Sequence, residues 1–241
     1  MTTDRKGVLA QIAAFGYGAV ELFDILADPD GLRADMTAAD LTACSVHASP
    51  FGEDAGAVVR AARTLGADTI IVPMVPAARF ADVDSVAGFA RELNELATRM
   101  DGEGMRLGYH NHDFELSSII GGRPALEVLA DHLAGNVLLE VDTYWAAVGG
   151  QDVPALLRRL GERVRYLHVK DGPISSREED VMTAVGSGRM PVAEVLAAAP
   201  ADAWRVVELD RCATDMMTAV GDSLAWLAAQ GLASPVSHGA R

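Results

Sequence analysis

The sequence predicts an α/β protein, a (β/α)8 barrel in which seven of the eight strands can be read. Three observations predict it. Apolar, strand-like runs alternate with Ala- and Leu-rich helical patterns along nearly the whole chain, the pattern of a parallel sheet covered by helices. The glycines of GYGAVELF precede the first strand run instead of following it, so a doubly wound nucleotide-binding sheet is the poorer fit. Polar residues gather at the C-terminal ends of the strand runs, where a barrel collects its site.

The elements follow in order. GVLAQIAAF (7–15) opens the chain as a helix, with Val8, Ile12 and Phe15 at helical spacing. The strand runs are AVELF (19–23), ACSVHA (43–48), TIIVPMV (69–75), RLGYHNH (106–112), VLLEVD (137–142), VRYLHVK (164–170) and WRVVELD (204–210). Between them, GAVVRAARTLG (56–66) and VAGFARELNELATRM (86–100) read as helices, with Asp82 and Asp84 suited to cap the second. RPALEVLADHLAG ends at Gly135 and VPALLRRLG at Gly161, glycine being common just past a helix C-terminus. PVAEVLAAAP is closed by Pro200, and a last helix runs over about 213–230.

One domain over 1–232 is expected, followed by a frayed tail over 233–241. The first strand of an eight-stranded barrel is missing ahead of GVLAQIAAF. Either the start is truncated or misassigned, or Met1–Arg5 supplies a scrap of edge, or the barrel is open at one seam. An open seam exposes strand edges and favours a homodimer or a covering segment.

The net charge of −14 argues against nucleic acid as a partner, since an acidic surface repels phosphate backbones. No apolar stretch reaches transmembrane length, so no membrane partner is expected. The N-terminus lacks the apolar core of a signal peptide, and Cys44 and Cys212 stand in no CxxC pattern. Free thiols in a reducing cytoplasm fit both observations.

Four strand runs carry polar pairs at i and i+2: His110/His112, Glu140/Asp142, His168/Lys170 and Glu208/Asp210. On a strand each pair projects to one face. Burying such groups is costly unless a cation or partner satisfies them. Four pairs, each after an apolar run, point to side chains converging on one divalent metal ion. Each residue also has a plainer reading. A lone His110 or His112 could be a hydrogen-bonded core histidine, Asp142 could cap the following loop, and His168 could be neutral and hydrogen-bonded. Glu208 is hard to explain in WRVVELD without a cation or an arginine. Lys170 and Asp210 contact substrate or pair at the barrel mouth. Glu21 and His47 end earlier strands and hydrogen-bond substrate or are ordinary rim polarity. Tyr144 and Trp145 form an aromatic wall or pack in the core. Gly186-Ser187-Gly188 reads better as a plain turn than as a phosphate cradle.

The motifs GYGAVEL, SVHAS, LGYHNHDFEL, LEVDTYWAAVGGQDVPALLRRLGERVRYLHVKDG, AVGSGRMPVAEVL and WRVVELD resemble, in order, those of the sugar phosphate isomerase/epimerase family, the xylose isomerase-like TIM barrels. The resemblance spans roughly residues 7–230. It implies one divalent cation held from four strands, here by His110, Asp142, His168 and Glu208. His110 is a departure: the family commonly has Glu there, and that Glu and the one on the last strand are the two bases of the epimerases. A His-rich strand at this place resembles the inosose dehydratase-like members.

Two histidines and two carboxylates suit Mn2+, Co2+, Fe2+ or Zn2+ better than Ca2+, with Mg2+ also compatible. Such a cation would polarise a hydroxy-ketone and stabilise an enediolate. Glu208 could act as ligand and base, with His110, His112, Glu115 and Glu140 as further acid/base candidates. Glu21, His47, Glu115, Glu140, Trp145, Lys170 and Asp210 are the substrate-contact candidates. The expected activity is isomerisation or epimerisation of a keto-sugar or sugar phosphate. The alternatives are dehydration, β-elimination from a 3-keto-glycoside, and a non-catalytic sugar-binding relic. A multi-metal AP endonuclease would need a basic face that this chain lacks.

Overall fold

The computed structural model describes residues 4–52, 54–177 and 179–233. Seven parallel strands form a nearly closed barrel with helices outside it. They are β1 (Ala19–Leu22), β2 (Thr42–His47), β3 (Thr69–Val72), β4 (Arg106–His110), β7 (Val137–Asp142), β8 (Val164–Val169) and β9 (Trp204–Val207), hydrogen-bonded in the order β1-β2-β3-β4-β7-β8-β9. A small antiparallel hairpin, β5 (Ile119–Ile120) with β6 (Arg123–Pro124), lies between β4 and β7 in the chain. The strands are Val-, Ile- and Leu-rich because helices cover their outer face while side chains fill the barrel. β3, TIIV, is buried at all its positions. On the barrel floor the Tyr166 hydroxyl lies 3.0 Å from Thr69 Oγ1 and 3.2 Å from the Cys44 carbonyl, which ties β8 across to β2 and β3.

The helices start and stop where their termini are satisfied. Asp82 caps Val83–Gly102 by accepting from the Ser85 amide. Gly16 and Gly66 end Arg5–Phe15 and Ala55–Leu65 in the left-handed conformation, at φ of 109° and 79°, where a Cβ would be strained. Helix Pro29–Ala38, which the periodicity misses, carries the right start signals: Asp28 accepts from the Gly31 amide and Pro29 stands at the first helical position. Short helices Phe114–Ser117 and Thr143–Val148 also go beyond the expected elements.

Several strands are shorter than their apolar runs. β3 stops at Val72 because Pro73 has no amide to donate. β4 stops at His110, β8 at Val169 and β9 at Val207, so His112, Lys170, Glu208 and Asp210 stand in the loops just beyond. Strand alternation therefore aims the second member of three pairs, and Glu208 as well, less strictly than expected. The scrap of edge expected from Met1–Arg5 is not found in its described part: Asp4 caps a helix that begins at Arg5. Residues 1–3, and all but the first residue of the expected tail, lie outside the described residues.

Among the described residues, no strand pairs with the free edges of β1 and β9. The barrel is open along this seam, as one of the three sequence alternatives held. A cavity of about 710 Å³ runs there, walled by Tyr17, Val20, Val206, Leu224 and Leu227 and reaching Glu21, His47, His168 and Glu208 at its inner end. Among the described residues no helix is long and apolar enough to cross a membrane.

The loop after β8 is pinned by one buried carboxylate. Asp171 accepts from the amides of Gly172, Gly186, Gly188 and Met190 at 2.8, 2.9, 3.0 and 2.9 Å. The amides that a phosphate cradle would need at Gly186 and Gly188 are thus engaged, which makes this segment a turn. Replacing Asp171 with Ala strands the buried Gly172 and Met190 amides and frees those of Gly186 and Gly188 to solvent. D171A should lower unfolding free energy by on the order of 3 kcal/mol, measured by urea denaturation.

Candidate active site

The site is built from strand ends that meet at one mouth. β7 delivers Glu140 and Asp142, two residues apart and both fully buried. Asp142 divides its oxygens. Oδ1 accepts from the Trp145 amide at 2.8 Å and so caps helix Thr143–Val148, while Oδ2 has no aligned hydrogen-bond partner. The capping reading of Asp142 thus holds for Oδ1, and Oδ2 remains turned towards Lys170 and His168. Asn111 fixes its backbone: Oδ1 accepts from the Asp142 amide at 3.1 Å, and Nδ2 donates to the Asp142 carbonyl at 3.4 Å. That gives Asn111, whose side the strand pattern left without a role, the task of tying β4 to β7.

His168 on β8 lies between two groups of acids. Its Nδ1 is 2.5 Å from Glu208 Oε2 and 3.9 Å from Asp142 Oδ2, out of line for a directed hydrogen bond. Its Nε2 is 2.7 Å from Glu21 Oε1 and 3.3 Å from Glu140 Oε2. On the outer side, Lys170 Nζ stands 2.8 Å from both Asp142 Oδ2 and Glu208 Oε2, and 3.0 Å from Asp210 Oδ1. Trp145 donates from Nε1 to Asp210 Oδ2 at 3.0 Å. Lys170 and Asp210 thus form an ion pair at the mouth. Tyr144 is buried in the core, and its neighbour Trp145 stays partly open.

On the inner side, His47 Nε2 lies 2.5 Å from Glu140 Oε2 and 3.0 Å from Glu21 Oε1. His110 Nδ1 is 3.1 Å from the same Glu140 oxygen. Ser45 donates to Glu21 Oε2 at 2.5 Å. The sequence reading had passed over Ser45, although it sits two residues before His47 and shares its face. His112 and Glu115 stand aside from these groups. Glu115 accepts from the Tyr109 hydroxyl at 2.6 Å and the His112 amide at 2.8 Å, and His112 stacks on Phe114.

The donor atoms fall into two sets. Asp142, His168 and Glu208 form one, and His47, His110, Glu140 and His168 the other; within each, one donor atom per residue lies within 4.8 Å of the rest. Of the four ligands carried over from the family, three converge directly. His110 falls in the other set, its ring centroid 4.6 Å from that of His168, so the four do not gather as one group. Asp142 Oδ2 and His168 Nδ1 are buried without aligned hydrogen bonds and, besides each other, meet only the ion-pair partners Lys170 and Glu208, at 2.8 and 2.5 Å; this donor set fits a divalent cation that takes the place of the Lys170 ammonium.

Electrostatics sort these groups. Burial alone would raise the Glu208 carboxyl, but His168 and Lys170 outweigh it and hold Glu208 well below the usual range. Burial likewise works against the charged form of His168, and Glu140, Glu208 and Glu21 overturn it, raising the imidazole. His110 is driven down by burial and by the other histidines. Burial also lifts Glu140, against the pull of His168 and His47, and pushes Glu115 up to about 7.

With the geometry in view, the comparisons place the chain. Residues 9–230 match the family profile of the xylose isomerase-like TIM barrel, and the protein belongs to that family. A sugar phosphate isomerase/epimerase from Parabacteroides distasonis superposes with a TM-score of 0.81 at 21% identity, over 96% of this chain and 90% of that one. The 3-keto-D-glucoside 4-epimerase of E. coli gives 0.67 at 17%, over 95% of both chains. The probable 3-DHS dehydratase of Bacillus anthracis gives 0.72 at 10%, over 95% and 94%. No curated protein matches the sequence. At these identities the structural neighbours speak to the fold.

The raised Glu115 carboxyl has a consequence for stability. Its folded value of about 7 exceeds the ordinary 4.5, so between these pH values the native state holds a proton that the unfolded chain has released. Its contribution is full below pH 4.5 and is lost as pH rises through 7. Glu115→Gln should remove up to about 3 kcal/mol of this decline. Urea unfolding of both proteins at acidic and alkaline ends of the window checks it, and parallel profiles would exclude the raised value.

Proposed function

We propose that the protein is a divalent-metal-dependent isomerase or epimerase of keto-sugars or sugar phosphates, working through an enediolate. The observation that carries this reading is the meeting of Asp142, His168 and Glu208 at the C-terminal mouth of the barrel, two of their buried atoms lacking aligned partners. Asp142, His168 and Glu208 would hold the cation. When bound it would supply Lewis-acid polarisation of a substrate carbonyl.

The remaining chemistry belongs to the side chains. Glu208 is the open member of the set, its side chain 40% exposed, and it is held ionised by His168 and Lys170. It is ionised, as a base must be, but the same partners lower its basicity, so accepting the proton α to the carbonyl requires substrate and cation to relieve the Lys170 and His168 contacts. Lys170 fixes the positions of Glu208 and Asp210 together, and Asp210 in turn holds the Trp145 indole beside the mouth. A sugar face can rest against that indole while its hydroxyls meet Asp210 and His112. Returning the proton needs a second group, and the Glu115 carboxyl, raised by burial to about 7, differs sharply from Glu208 in basicity, which is the separation an acid/base pair uses.

A second reading is dehydration or β-elimination. His110 favours it: an imidazole driven towards its neutral form stands where a two-base epimerase has a carboxylate. Proton NMR of reactions in D2O separates the two. Solvent deuterium entering the substrate carbon without loss of water supports isomerisation or epimerisation, and an unsaturated product supports the lyase. Glu208→Gln should lower kcat by about 100-fold or more while cation binding is partly retained. Near-normal turnover would remove Glu208 as the base.

A further inference from the structure

The inner half of the site has a defect that hydrogen bonding does not repair. Three imidazole nitrogens crowd one oxygen: His47 Nε2, His110 Nδ1 and His168 Nε2 lie 2.5, 3.1 and 3.3 Å from Glu140 Oε2. The other oxygen of the same carboxylate, Oε1, is buried and has no partner at all. His47 and His110 hydrogen-bond that oxygen and take up its two lone pairs, and His168 Nε2 is hydrogen-bonded instead to Glu21 Oε1 at 2.7 Å, so the twin oxygen alone is starved. Glu140 is 1% exposed, so water does not make up the difference from bulk. Leaving a buried carboxylate oxygen unpaired is costly.

We propose that His47, His110 and Glu140, with the Nε2 of His168, form a second divalent-cation position deeper in the barrel than the Asp142–His168–Glu208 set. A cation at their meeting point turns the three nitrogens from donors into lone-pair ligands and gives both Glu140 oxygens a counter-charge. The donor set is three imidazoles and one carboxylate, which selects a first-row transition metal such as Zn2+, Co2+ or Mn2+ over Mg2+ or Ca2+. Glu21 Oε1 faces the same Nε2 atoms of His47 and His168, so these nitrogens exchange a contact with Glu21 for the cation, while Ser45 holds the other Glu21 oxygen. His168 presents Nε2 inward and Nδ1 outward, so with both positions filled it bridges them as an imidazolate, its last ring proton released to solvent. The positions also differ in competition. Lys170 pairs with Asp142, Glu208 and Asp210, all on the outer side.

The test is cation stoichiometry on the full chain. Protein stripped with a chelator is titrated with Co2+ and with Zn2+, followed by visible absorption and by elemental analysis after dialysis. Two equivalents are expected for the unaltered chain. His47→Gln and Glu140→Gln should each lose one equivalent and keep the one that Asp142→Asn loses. A single equivalent that survives in both His47→Gln and Glu140→Gln overturns the inner position. A single equivalent lost in those variants but kept in Asp142→Asn supports it and counts instead against the outer site. No bound cation overturns both. Should a variant fail to fold, long-range proton–nitrogen NMR of the unaltered protein decides. Zn2+ should shift His47 Nε2 and His110 Nδ1, and resonances unmoved at saturation overturn the proposal.

Discussion

The imidazole of His168 is the constraint on which the mouth of the barrel depends. It is 1% exposed, and each of its nitrogens meets carboxylates from different strands: Glu208 and Asp142 on one side, Glu21 and Glu140 on the other. A charge-bearing group in such a place is tolerated only while its partners hold station. Much of the surrounding structure does that work. Asn111 locks the Asp142 backbone, Ser45 locks Glu21, Thr143 donates to the His168 carbonyl at 2.8 Å, and Lys170 locks Glu208. Each lock is a side chain two or three residues from a group it steadies, or one strand away. The parallel register that sets Asp142 beside His168 and Glu140 beside His110 brings the members together.

The seam between β1 and β9 bears on the same site. Glu21 stands on the edge strand β1, and Glu208 follows the edge strand β9 by one residue. The two acids that flank His168 are thus the two that the sheet holds from one side only. Hydrogen bonds to His168 and Ser45 at Glu21, and to Lys170 at Glu208, do for these acids what a neighbouring strand does for Glu140 and Asp142. The seam cavity touches both, so whatever packs along it also borders the chemistry.

The barrel and its i, i+2 pairs were legible in the sequence because both depend on local repetition: an apolar run to make each strand, and the twofold alternation of its faces. Asp142 and His168 fall inside strands and obey that rule. Glu208 and Lys170 do not, since β9 and β8 have ended before them, yet they arrive at the same place because a single residue past a strand has little room to turn away. The joining of His110 to His47 and Glu140 was not legible. Which face a residue takes is local, but which residues on six strands share a depth in the barrel follows from shear, and register shifts at Val20/Glu21 and Leu139/Glu140 alter it at two of the acids concerned. The helix over Pro29–Ala38 escaped for the opposite reason. It has capping and a proline start but little apolar repetition to announce it.

Charge balance shows why the arrangement demands more than its own side chains. Glu21, Glu140, Asp142, Glu208 and Asp210 bring five carboxylates to one mouth, against a single permanent cation, Lys170. Lys170 reaches three of the five. The inner pair, Glu21 and Glu140, faces imidazoles and, at Glu21, the Ser45 hydroxyl. Imidazoles can answer in two ways: by taking up protons and becoming cations themselves, or by staying neutral and lending lone pairs to a metal ion. The two answers exclude each other at the same nitrogen, so cation binding there must expel protons. Protonated histidines satisfy only the oxygen they crowd and leave Glu140 Oε1 bare. A metal ion at their centre gives the carboxylate a counter-charge, and the four donor atoms already lie within 4.8 Å of one another.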